Sequence, residues 1–406
     1  MRTRAKGSAG ALPFALLVVA TVLVSLNLRP GASAVGPVLD EIRDGLGMGG
    51  GAAGALTGLP GLCFGIGGAL AMRLGRRAGV AGGIALGLAL AAAGLLLRPL
   101  VGDATLFLVL SAVALLGMAV GNVLVPAWVK AHGGHEVRLM TIYGTGLIVG
   151  GSLGSLLTAP VAAEAGWRWG VGFWGVGAVV AVPLWWWLSR HERRRTAVLD
   201  ELDVPPDAHV MRSPTAIAMT VLFGLQSMHA YIQMGWLPQI YRDAGLSAAS
   251  AGAMQALLAA VTIVGGLTMP SVIARGRGLA PMIVGLGLLL VVGYGGLLVA
   301  PATVPWLWAV VLGISGFAFP LVIALITART RSHHVTGRLS GFVQPVGYLL
   351  AALGPVVVGV LHAATGGWEV VLWVLMATSL PFVLAGLRAV RPSFVDDELG
   401  RRGSAA

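Results

Sequence analysis

"SLNLRPGASAVGP", residues Ser25–Pro37, decides how this chain is built. It closes the first long apolar run and holds Arg29, which has no acid after it until Asp40. With "MRTRAK" before the run and Ala32-Ser33-Ala34 near its end, the segment imitates a secretory signal with a cleavage site. Two features oppose that reading. The run is long for a signal, and its end has a counterpart later in the chain. Leu26-Asn27 is answered by Leu225-Gln226 and Arg43-Asp44 by Arg242-Asp243, both at an offset of 199; Ala53-Gly54 is answered by Ala251-Gly252 at 198. A cleaved signal is not expected to be half of a repeat, so the run is read as the first membrane span.

Composition agrees. Of 406 residues, 57% are hydrophobic and 11% charged, with a mean hydropathy of +0.87. Soluble domains carry about 25% charged residues, so the chain is expected to be a polytopic membrane protein. Apolar runs predict twelve spans: 13–40, 49–72, 80–97, 105–129, 139–162, 170–189, 213–240, 247–273, 280–300, 305–328, 338–362 and 368–388. The longest polar piece, 190–212, divides them. The expected organisation is a six-helix bundle over 1–189, a cytoplasmic linker over 190–212, a second bundle over 213–391 and a cytoplasmic tail over 392–406. This all-α, parallel two-bundle repeat is a transporter architecture, with its site at the repeat interface near the midplane.

The 27 Lys and Arg residues fall 22 on one side of this topology and 4 on the other, Arg29 apart. The positive-inside rule places both termini in the cytoplasm, in a cell (inner) membrane. The formal charge of +11 is thereby explained without a nucleic-acid partner.

As a continuous helix from Pro13 to Asp40, span 1 would be about 40 Å long and would carry Arg29 about 24 Å along it, just past the middle. The alternative, a span ending at Leu28 with Arg29 snorkelling outward, leaves an oddly apolar outer loop. A buried arginine needs a partner, and none of the sixteen acids falls in the middle of a span. Its fork of donors suits a planar anion that comes and goes. Ser25, Arg29 and Ser33 recur every four residues, with Asn27 on another side. In span 7, Gln226, His229, Gln233 and Trp236 form one stripe; Gln344 and Tyr348 do so in span 11, and spans 4 and 5 offer Asn122 and Tyr143. These are the candidate substrate-binding residues, set against simple pairing across helices. His229 is either a proton carrier or a neutral hydrogen-bonding wall residue. The single cysteine, Cys63, excludes an internal disulfide. No metal-ligand cluster, P-loop or nucleophile–base set is apparent, so no metal, cofactor or enzymatic activity is expected.

Gly68–Arg77, "GALAMRLGRR", is similar to the signature of the major facilitator superfamily between spans 2 and 3, with Met72 where the signature has an acid. "LNLRPGASAVGPVLDEIR", "GNVLVPAWVK", "GWRWGVGFW" and "GLQSMHAYIQMGWLPQIYRDAGLS" resemble more narrowly the cyanate and 2-nitroimidazole transporter family. The resemblance implies secondary transport of small compounds, with the "NLRP" arginine carried over onto Arg29. The expected function is movement of a small anionic or polar, cyanate-like solute by alternating access, with a proton as a possible coupling ion. Export of neutral drug-like compounds such as 2-nitroimidazoles is the alternative.

Overall fold

The structure, a computed structural model, describes residues 12–132, 135–191, 208–331 and 333–403. Every regular element among them is helical. Span 1 is Phe14–Asn27 followed by Pro30–Ser33, a 3-10 turn Gly36–Val38 and Leu39–Leu46. Span 2 is Gly50–Ala78, span 3 Val80–Leu97, span 4 Ala104–Ala131, span 5 Glu136–Ala165, and span 6 Trp167–Gly172 with Trp174–His191. Span 7 is Pro214–Asp243, span 8 Ala248–Arg275, span 9 Leu279–Val299, and span 10 Pro305–Ser315 with Ala318–Ala328. Span 11 is His333–Thr365 and span 12 Glu369–Ala377 with Ser379–Ala389. Eleven of these are long and apolar enough to cross a membrane, and span 2, bent by 47° between Gly68 and Leu70, makes the twelfth. They form two six-helix bundles whose outer faces carry apolar side chains such as Leu267, Leu288 and Val180, as a lipid environment requires.

The helix ends follow local chemistry. Asp103, Ser213 and Ser247 accept backbone N–H groups at the starts of spans 4, 7 and 8. The arginines of "RLGRR", expected in a loop, continue the span 2 helix to Ala78; the whole turn to span 3 is Gly79, at φ 77° and ψ 164°, a region open essentially to glycine alone. Most of the expected 190–212 linker lies outside the described residues.

The halves are sealed on the face opposite the termini. Glycines of span 2 meet span 11 backbone to backbone: a Cβ on Gly50 would lie 2.6 Å from the Gly359 carbonyl, on Gly54 2.8 Å from that of Pro355, and on Gly58 2.7 Å from that of Ala352. A polar lock lies beside them. Arg242 donates twice to Glu41, at 2.7 and 2.9 Å, and Gln239 donates to Asp40 at 2.7 Å. Asp40 and Gln239 are repeat mates at the offset of 199, as are Gly36 and Gly235, whose backbones also meet. The pseudo-two-fold relation therefore passes through this seal. Apolar residues of the first half at this end, among them Val38, Ile42 and Leu56, pack into the core of the second half, whereas Leu17, Leu88 and Leu124 belong to a core of the first half alone.

The tail is not free. Helix Val395–Gly403 docks on the second bundle through Glu398, which accepts from Ser213 Oγ (2.5 Å), Thr215 Oγ1 (2.7 Å) and Arg388 Nη2 (2.7 Å). Burial alone would raise this carboxyl, but the hydrogen bonds from Ser213, Thr215 and Arg388 hold it at about 2. A depressed carboxyl pKa stabilises the docked state above the unfolded value of about 4.3, and that contribution is lost as pH falls from there towards 2. Hydrogen exchange of amides 395–399 should be pH-insensitive in its protection between 5 and 8, to within the intrinsic rate, and Glu398→Gln should release the helix at neutral pH. Undiminished protection in Glu398→Gln would show that the other contacts of the helix, Val395 in the core and Arg331 on Asp397 among them, suffice to hold it.

Candidate functional site

Span 1 breaks where the sequence reading drew a straight helix. Pro30 has no N–H to give and disfavours helical backbone at Arg29 before it, so the first helix stops at Asn27 and Arg29 sits at φ −127° and ψ −35°. The break stays inside the span, and half-buried Arg29 turns towards the second bundle. Its guanidinium lies 5.3 Å from the ring centroid of Phe64 on span 2. Phe64 contacts Tyr348 of span 11 (centroids 6.1 Å apart), and Tyr348 contacts Phe223 (4.9 Å) and Tyr231 (6.2 Å) of span 7. Tyr143 Oη donates to Asn122 Oδ1 at 3.0 Å, and the buried Asn122 amide nitrogen has no partner. Among the described residues, the Arg29 guanidinium has no acid and no hydrogen-bond acceptor. The group is thus one unneutralised planar cation, an aromatic wall from both halves, and a free amide donor.

The major facilitator superfamily model matches residues 17–355. An uncharacterised transporter of Bacillus subtilis, YycB, is 32% identical over 394 residues, covering 96% of this chain and 97% of its own length. The 2-nitroimidazole transporter of Escherichia coli is 31% identical over 93% of this chain and 95% of its own, and the cyanate transport protein CynX of the same organism is 31% identical over 87% and 91%. The chain belongs to the major facilitator superfamily. Its fold matches the solved nucleoside transporter NupG, with a TM-score of 0.74 at 12% identity over 92% of this chain and 99% of that one. It also matches a D-xylose-proton symporter, with a TM-score of 0.71 at 12% identity over 93% and 96%. It is a multi-pass membrane protein of a family that carries small solutes.

Several expected lining residues of this transporter pack elsewhere. Ser25 and Ser33 flank the stem of Arg29, whose Cβ lies 3.4 Å from where a Cβ on Gly151 of span 5 would stand. Both are turned to span 5: a Cβ on Gly146 would strike Ser25 Oγ and one on Gly154 Ser33 Oγ, and Ser33 donates to Gly151 O at 2.8 Å. Asn27 donates to Leu23 O at 2.7 Å and lies against Gly177 of span 6. Trp236 donates to Pro355 O at 3.2 Å and packs on Trp368 at the seal. Gln344 donates to Ser340 at 2.7 Å and is half-buried. Gln226 is 2% exposed, its side-chain oxygen unpartnered. Trp185 meets Trp128 edge-on in the core, with ring centroids 4.9 Å apart.

His229 and Gln233 point into the second bundle, away from Arg29. Gln233 donates to Tyr294 Oη (3.1 Å), and the Tyr294 hydroxyl in turn serves His229 Nδ1 at 2.9 Å. The Thr378 hydroxyl donates to Leu375 O and so accepts from His229 Nε2 at 3.1 Å. Every proton in this chain has an acceptor when the imidazole is neutral. An imidazolium would need Tyr294 to accept from both Gln233 and Nδ1, leaving the phenol proton without a place. The geometry thus supports the neutral wall residue and not the proton carrier. Transport by His229→Gln should keep the pH profile of the parent, while His229→Leu should lower stability by about 1–3 kcal/mol by orphaning Tyr294 and Thr378. A flattened pH profile in His229→Gln would restore the carrier.

Phe64, Tyr231 and Tyr294 were not among the sequence candidates. Aromatic residues in apolar spans carry no local mark of which neighbour they will meet.

Proposed function

We propose that this facilitator moves a small anionic or strongly polar solute of cyanate type across the cell membrane by alternating access, both termini being cytoplasmic and the bundles bounded at 1–189 and 213–391. The observation that carries the reading is Arg29: a permanent cation, within a span, unneutralised by protein, facing both halves. An intramembrane ionisable residue marks a solute path by default, and guanidinium binds planar oxygen and nitrogen anions through paired donors. Asn122, which accepts from Tyr143, adds a donor, and Tyr348 and Tyr231 carry hydroxyls in the aromatic cluster that begins at Phe64. Sealed opposite its termini, the transporter presents this group from the cytoplasmic side.

A second reading rests on the aromatic wall. Phe64, Tyr348, Tyr231 and Phe223 suit a flat neutral ring, and Arg29 would then bond a nitro oxygen, as in export of 2-nitroimidazoles. One relative of each kind matches this chain at 31% identity. A thermal-shift screen of purified protein separates the two, because a ligand stabilises in proportion to its occupancy. Small linear and planar anions should raise the unfolding midpoint and neutral nitroheterocycles should not. The reverse pattern would replace the anion reading with the neutral one.

A further inference from the structure

A second arginine lies deeper than the first. Arg98, assigned by the sequence to an outer loop at the end of span 3, is 0% exposed. It donates to the Gly31 carbonyl at the span 1 break (3.2 Å) and to Val171 O (3.4 Å), and it lies 5.8 Å from the Phe107 ring. It makes no ion pair among the described residues, and its Nε–H has no protein acceptor. Ser111 of span 4 is also 0% exposed with an unpartnered Oγ. Arg98 and Ser111 line one cavity of about 10 Å³, room for a single particle the size of a water molecule. The hydroxyl of nearby Thr57 gives its proton to the carbonyls of Ala53 and Gly54. Guanidinium stays charged when buried, and an uncompensated buried charge is costly. A water here could satisfy the open hydrogen bonds but would leave the charge uncompensated. A monatomic anion would take both donors and neutralise the charge.

We propose that this cavity binds one small monovalent anion of halide size, separate from the transported solute, and that the anion favours the sealed state. Met234 and Gly235 of span 7 close the cavity against Arg98 and Ser111 of the first bundle, so separation of the halves at this face dismantles it. The site therefore exists in one conformation and shifts the equilibrium towards it.

The test is thermal unfolding of the purified transporter titrated with sodium chloride or bromide against sodium gluconate at constant ionic strength, without solute. The parent should show a saturable upward shift with halide only. Ser111→Ala, which removes one donor and leaves the fold's packing nearly unchanged, should need about tenfold more halide for the same shift. Arg29→Gln should keep the shift, which distinguishes this site from the proposed solute site. Crystals grown in bromide should give an anomalous peak within hydrogen-bonding distance of Arg98 Nε. Identical curves in halide and gluconate would mean that the cavity holds water alone and would overturn the proposal. So would a shift unaffected by Ser111→Ala, or one abolished by Arg29→Gln.

Discussion

Gly54→Leu is expected to unlock the face opposite the termini, raising by about tenfold the labelling of a cysteine placed at Thr57, and to depress transport. At Gly54 a Cβ alone would lie 2.8 Å from both the Pro355 carbonyl oxygen and Val356 Cα, which are backbone atoms that cannot rotate aside. Overpacking of this kind costs about 1–3 kcal/mol, and about 1.4 kcal/mol changes a population ratio tenfold. The cost falls on the sealed state, because span 2 leaves span 11 when the face opens. Thr57 is a sound reporter: it is 3% exposed behind the seal, and its hydroxyl bonds only to its own helix. The native Cys63 is 2% exposed and contributes little background. An impermeant maleimide applied from the sealed face reads the result. Labelling equal to that of the Thr57→Cys parent would mean that the glycine stripe does not set the equilibrium.

Much of this could be read from the chain alone, and the limits have physical causes. The twelve spans and the two bundles follow from long apolar runs, which only helices can carry through lipid. The repeat is visible at Arg43-Asp44 and Arg242-Asp243, but nothing in the order of residues shows that one copy bonds to the other across the seal, as Arg242 does to Glu41. Pro30 marks the break at Arg29, which a count of residues along an ideal helix conceals. Polar side chains in a span look alike whether they line a path or pair with a neighbour. The partners of His229 are Tyr294 and Thr378, 65 and 149 residues away, which no local pattern around the histidine reveals. Arg98 precedes Pro99 at the end of an apolar run, the ordinary signature of a loop. Its burial depends on spans 1, 4 and 6 meeting over it.

Arg29 carries the largest expected effect on binding. Hydrogen bonds to charged groups contribute about 1.5–3 kcal/mol each, so loss of a paired contact should weaken an anion at least about tenfold. Arg29→Lys keeps the charge but loses both the fork and the flat face over Phe64, and should be impaired as well. Neither variant should unfold the transporter, because no acid is left unpaired when the guanidinium is removed, and removing an uncompensated charge from a span relieves a cost. This separates Arg29 from the arginine of a structural ion pair such as Arg242, whose loss would strand Glu41.

The measurement that bears most directly on this account is the equilibrium affinity of purified parent and Arg29→Gln for cyanate, determined by calorimetry with a neutral nitroimidazole as the control. The account predicts that Arg29→Gln unfolds no earlier than the parent and binds cyanate at least about tenfold more weakly, with any affinity for the neutral ring changed far less. Equal cyanate affinity in a stable Arg29→Gln protein would contradict it.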